Sequence, residues 1–193
     1  MSRKNAAGSS ITDLTGVMPR VKLDGNNIPE WPFPELGAET FKAGEMVCLS
    51  GVPGAQIGLT KPGTDASGCG ILGFAADNAS GYCSAMQGVF VVTPNCVFVG
   101  NVGHGVTSAN SQTAPTDLGQ IFGLTSLSGR TYVDKNKGMS NISTAMCRVI
   151  GFYDQDIVPT FFGRVYFQVF PQKCQLFNGG IAVNISSVIG TII

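Results

Sequence analysis

Charge is scarce in this chain. Asp, Glu, Lys and Arg make up 12% of its 193 residues, about half of the ~25% found in an ordinary soluble domain. Basic and acidic residues balance to a formal net charge of zero, and no basic cluster stands out. That removes the electrostatic footprint on which a nucleic-acid binder depends. No apolar run reaches the length of a membrane-spanning helix. The opening Met1-Ser2-Arg3-Lys4-Asn5-Ala6-Ala7-Gly8 has two basic residues but no apolar stretch behind them, so no secretory signal is expected. There is one His and one Trp, too few for a histidine-based metal centre or a row of indole platforms.

What is present is glycine, with 26 residues, and a 44% apolar content. A surface with little charge and no net repulsion favours association. Composition alone therefore points to a component of an assembly. The length suits one domain with a sizeable core, with or without an extended arm. Six cysteines (Cys48, Cys69, Cys83, Cys96, Cys147 and Cys174) are widely spaced, without a Cys-x-x-Cys pair. They read as free, small buried hydrophobes and not as a metal or disulfide framework.

Residues 1–40 differ from the rest. Pro19, Pro29, Pro32 and Pro34 interrupt a stretch with neither helical nor strand periodicity, because proline removes amide donors and restricts its predecessor. An extended N-terminal arm is expected, with Trp31 and Phe33 docked either on their own domain or on a neighbour. Residues 41–178 carry short β-branched and aromatic runs separated by Gly, Pro, Asn and Asp. The candidate strands are 46–49, 56–60, 71–76, 89–93, 97–99, 121–124, 131–133, 147–152, 164–170 and 181–189. Short runs with regular turn signals indicate an all-β fold, a compact β-sandwich or β-barrel. The uncharged segment 179–193 is expected to be an apolar tail or strand covered by the fold or a partner.

Gly68-Cys69-Gly70-Ile71-Leu72-Gly73 has the spacing of a dinucleotide fingerprint. That pattern works only between a strand and a helix, and the surrounding Pro, Gly and Asn residues predict a loop entering a strand. His104, between Gly103 and Gly105, has no nucleophile elbow to serve. Asp154 and Asp156 could contribute to a Ca²⁺ site, but too few oxygen ligands follow for one, and a solvated turn is expected. Asn78, Asn141 and Asn184 begin glycosylation sequons whose number is close to chance. No catalytic residue, cofactor site or metal site emerges, and the chain is read as a non-enzyme.

Three blocks carry a resemblance. They are Phe41-Lys42-Ala43-Gly44-Glu45-Met46-Val47-Cys48-Leu49; Ile71 to Gly81, continuing through Val89 to Asn101; and Thr116 to Leu124 with Tyr132-Val133-Asp134, Val149 to Phe152 and Gly163 to Phe167. In that order, over roughly residues 41–176, they are similar to the capsid decoration (cement) proteins of tailed bacteriophages. The resemblance implies a structural virion protein, made in the host cytoplasm, on the outer surface of the phage head. Such a protein would clamp neighbouring major capsid subunits as a homo-oligomer, a trimer or dimer, with no cofactor and no nucleic-acid or membrane partner. Because aromatic side chains dominate interface hot spots, the expected protein-interface anchors are Trp31, Phe33, Phe161 and Phe162. The alternative is a receptor- or glycan-binding β-sandwich module of a phage fibre or spike.

Overall fold

The computed structural model describes residues 17–50, 57–62, 70–103, 109–138, 144–154, 156 and 158–177. Eleven strands are formed among them: β1 (Met18–Lys22), β2 (Glu30–Pro34), β3 (Met46–Ser50), β4 (Gly58–Thr60), β5 (Gly73–Ala75), β6 (Met86–Val91), β7 (Cys96–Asn101), β8 (Ile121–Leu127), β9 (Arg130–Asp134), β10 (Cys147–Phe152) and β11 (Arg164–Val169). Helical structure among the described residues is confined to short 3-10 turns such as Pro115–Asp117 and Pro171–Lys173. The strands form two antiparallel sheets packed together, an all-β sandwich.

The six-stranded sheet has the order β1-β7-β11-β10-β8-β9 and the five-stranded sheet the order β2-β6-β5-β3-β4. Alternation along each strand explains the packing. Phe98 on β7, Val165, Phe167 and Val169 on β11, Cys147 and Val149 on β10 and Phe122 and Leu124 on β8 all enter one core. Met46 and Phe74 reach the same core from the other sheet. At its centre the Phe74 ring lies 4.8 Å from Phe98 and 6.0 Å from Phe167, edge-on to both, the geometry that ring quadrupoles favour.

The next residues along the five-stranded sheet point the other way and are also buried. Val47, Ala75, Val89 and Val91 join Phe41, Leu59 and Leu72 in a second core. This face is covered because the sheet curls. A bridge between Glu35 and Leu59, with Leu36 N–H donating to Leu59 C=O at 3.0 Å, returns β4 to the end of β2. Similar curling brings β9 back to β7 through Val102 and Val133. The β8–β9 hairpin turns on Ser128 and Gly129, both at positive φ, as a two-residue hairpin matching strand twist requires.

The N-terminal reading needs correction at residues 17–35. This stretch is not an arm outside the core, since it supplies an edge strand to each sheet. β1 pairs with β7 through Met18–Val99 and Lys22–Cys96, and β2 pairs with β6 over its whole length. Val17 and Ile28 are buried in the inter-sheet core. The prolines that obscured these strands are tolerated at edges, where one side of the strand needs no ladder bond. Residues 1–16 and 178–193, and with them the tail beginning at residue 179, lie outside the described residues.

Candidate interaction surfaces

The four aromatics expected at an interface do not share one surface. Trp31 is 57% exposed on the edge strand β2. Phe33, two residues on, is partly buried against the second core. Phe161 is half-buried, and Phe162 is a core residue of its own chain, packed 6.4 Å from the Tyr132 ring. Phe162 sits at φ 52°, an uncommon conformation for a bulky residue. It is held by its N–H donating to Ser111 C=O at 2.7 Å and by Asn101 Nδ2 donating to its C=O at 2.6 Å. This burial leaves Phe162 no contact surface to offer a partner.

The glycine-rich motif serves strand packing. A Cβ at Gly73 would lie 2.2 Å from Phe90 C=O, and one at Gly70, where φ is +71°, would lie 2.9 Å from Lys173 C=O. These glycines allow close backbone approach, and a strand follows them where a phosphate site needs a helix. Cys69 and His104 lie outside the described residues, as do Asn141 and Asn184.

Buried acids are held by structural contacts. Asp156 accepts two bonds from the Arg164 side chain, at 2.7 and 3.0 Å, and one from its backbone N–H at 2.8 Å. The same guanidinium lies 3.9 Å from the Tyr153 ring centre. This clamp ties the 153–163 connection to β11, while Asp154 is exposed. Asp117 pairs with Lys135 at 2.8 Å, and Glu45 with Lys61 at 3.2 Å. Glu35, fully buried, accepts from Ser80 N–H at 2.5 Å and Gly81 N–H at 3.1 Å. Asn78, the first residue of a sequon, accepts from Ala43 N–H at 3.0 Å.

Five cysteines fall among the described residues, and no disulfide joins any two of them. Cys48, Cys96, Cys147 and Cys174 are buried, but Cys83 is exposed, so the expectation of burial fails there. Desolvation pushes the Cys147 thiol pKa well up, partly opposed by its bond to Phe122 C=O. The Cys174 pKa is pushed up to about 12 by desolvation first and by the nearby Cys96 second. Neither behaves as an activated nucleophile, which needs a lowered pKa and access. No group of three or more potential metal ligands occurs among the described residues.

What stands out instead is apolar surface. Trp31, Met86 and Tyr82 are exposed on or beside the β2–β6 pair, and Met18 and Ile150 on the six-stranded sheet. On the outer face of that sheet Arg20, Val21, Val97, Ile150 and Tyr166 line an open depression of about 270 Å³. Sequence reasoning flagged Trp31 by residue type, but it missed this depression. Its members come from four strands that only the topology makes neighbours.

Comparison with protein-family models, with curated proteins and with solved structures finds no match.

Proposed function

We propose that this protein is a structural virion component, a decoration protein that binds the outside of a phage head and joins neighbouring major capsid subunits. The observation that carries the reading is where the buried chemistry goes. The acids Glu35, Glu45, Asp117 and Asp156 are engaged in holding loops, while large apolar side chains on both sheets remain exposed in a chain with little charge. Such a division suits a protein that works by contact. The order of turn-and-strand blocks, similar to that of cement proteins, gives the contact its class.

The mechanism is physical. A ligand that binds only the assembled shell stabilises it by mass action, and repetition over a lattice converts moderate single contacts into strong retention. The test is to incubate purified protein with empty expanded heads and sediment them. Retention at a fixed ratio per capsid subunit, together with a higher disruption temperature of the heads, is expected. Failure to co-sediment would overturn the reading. Selective capture on a glycan array by protein that ignores heads would establish the receptor-binding alternative.

A further inference from the structure

The strands of the six-stranded sheet carry almost only positive charge. Arg20, Lys22, Arg130, Arg148 and Arg164 lie on them against a single acid, Asp134. That acid is buried and accepts from Thr125 Oγ1 and Asn136 N–H, while Arg164 is held by Asp156. Arg20 and Arg148 are exposed and form no ion pair among the described residues. The exposed acids Asp24 and Asp154 sit in turns beyond the strands.

The two unpaired arginines flank an apolar floor. Burial alternates along β10, so Arg148 and Ile150 share the outer face while Cys147 and Val149 enter the core. Ile150 lines the depression of about 270 Å³ together with Val21, Val97, Tyr166 and Arg20. Pairing sets the span between the arginines. Val21, beside Arg20, faces Val97 on β7, and Arg148 faces Gln168 on β11. Three strand intervals separate β1 from β10, about 14 Å at the usual ~4.8 Å each.

An extended segment rises ~3.4 Å per residue, so its residues i and i+4 stand about 14 Å apart on one face with i+2 midway between them. Laid across the strands, carboxylates at i and i+4 meet Arg20 and Arg148 while an apolar side chain at i+2 enters the depression. The volume exceeds the ~150 Å³ that holds benzene, so a Leu or Phe side chain fits. We propose that this face docks an extended segment of another protein with the pattern acid-x-apolar-x-acid. A second copy of this chain does not supply it. Two acids four residues apart occur once in the sequence, as Glu35 and Glu39, where the midway residue is Gly37 and Glu35 is fully buried. The inference rests on the decoration reading for the partner's identity, a major capsid subunit, and on this sheet alone for its chemistry.

The experiment is a fluorescence-anisotropy titration of the full chain against a labelled peptide, Gly-Ser-Asp-Ser-Leu-Ser-Asp-Ser-Gly, at low and high salt. Saturable binding is expected, weakened by salt and lost when Asn replaces both Asp residues of the peptide. Arg20→Glu and Arg148→Glu should each weaken it about tenfold, since like charges then face one another. The double variant should instead bind the peptide with Lys in place of both Asp, a charge swap that misfolding cannot imitate. No binding by the wild type, equal binding of the Asn peptide, or indifference to the variants overturns the proposal. A labelled single-stranded oligonucleotide bound more tightly than the peptide would assign the arginines to phosphates and overturn it as well. Heads then separate the two readings. Loss of head retention in the double variant assigns the segment to the capsid subunit. Retention unchanged in a variant that has lost the peptide overturns that assignment. Wild-type protein that binds the peptide but ignores heads overturns the decoration reading and upholds the docking chemistry.

Discussion

At the scale of single residues, the Arg164–Asp156 clamp joins a buried ion pair to a backbone hydrogen bond and a ring contact. Its two side chains are 8% and 2% exposed, and removing one partner of such a buried pair leaves an uncompensated charge, at a cost of about 3–5 kcal/mol. Asp156→Asn is therefore expected to lower the unfolding free energy by that amount, read from denaturant midpoints at constant slope. A change below 1 kcal/mol would show that solvent already shares the pair. The thiols give a second residue-scale expectation. Cys174 is raised from 9.0 to about 12 and Cys147 is raised in the same direction. Above pH 9 the unfolded chain releases protons that the folded chain retains, so stability falls as pH rises from about 9 toward 12. Each such group contributes a slope of about 1.4 kcal/mol per pH unit in that window. Equilibrium unfolding at pH 8, 9 and 10 checks the sign, and a flat profile would contradict the burial of both thiols. Of the five described cysteines, Cys83 should be alkylated first under native conditions, as read by peptide mass spectrometry.

At the scale of elements, what the sequence disclosed depends on where a strand sits. β10 is legible to the residue, because Cys147–Phe152 is a β-branched and aromatic run with turn residues beyond it. β11 and β3 are legible within one residue for the same reason. The edge strands β1 and β2 are not, since Pro19, Pro32 and Pro34 are tolerated only where a neighbour is missing, and that depends on topology. Phe162 was illegible for a different reason. Its positive φ and burial against Tyr132 come from the 101–103 and 111–113 segments folding over it, which no local pattern records. Deleting residues 1–34 removes an edge from each sheet along with Val17 and Ile28. Burial of two such side chains alone is worth about 3–6 kcal/mol. The melting temperature should fall by about 10 °C or more. An unchanged melting temperature would restore the arm. Gly73→Ala should also destabilise, because its Cβ would meet the backbone carbonyl of Phe90 and neither strand can withdraw without breaking the β5–β6 ladder.

At the scale of the whole molecule, edge design and face design complement each other. The edge strands β1 and β2 both contain proline, and exposed apolar side chains lie on the same two strands, Met18 on β1 and Trp31 on β2. A chain with no net charge cannot rely on repulsion to stay soluble, so the decoration reading calls for contacts that are geometrically selective. Trp31 gives direct access to that selectivity because it is the only tryptophan in the chain. At 57% exposure its emission in the dilute protein should be red-shifted and readily quenched by acrylamide. Where Trp31 enters a protein interface the indole leaves water, so emission should shift to the blue and quenching should fall. Both changes should reverse on dilution. On heads, whose own subunits complicate fluorescence, oxidative footprinting of Trp31 by mass spectrometry supplies the equivalent reading. Protection of Trp31 on heads relative to dilute free protein is the pattern expected if the β2 edge contributes to the proposed decoration contact. An indole equally oxidised in both states would remove Trp31 from that contact and leave the apolar surface of the β2–β6 pair without a role in assembly.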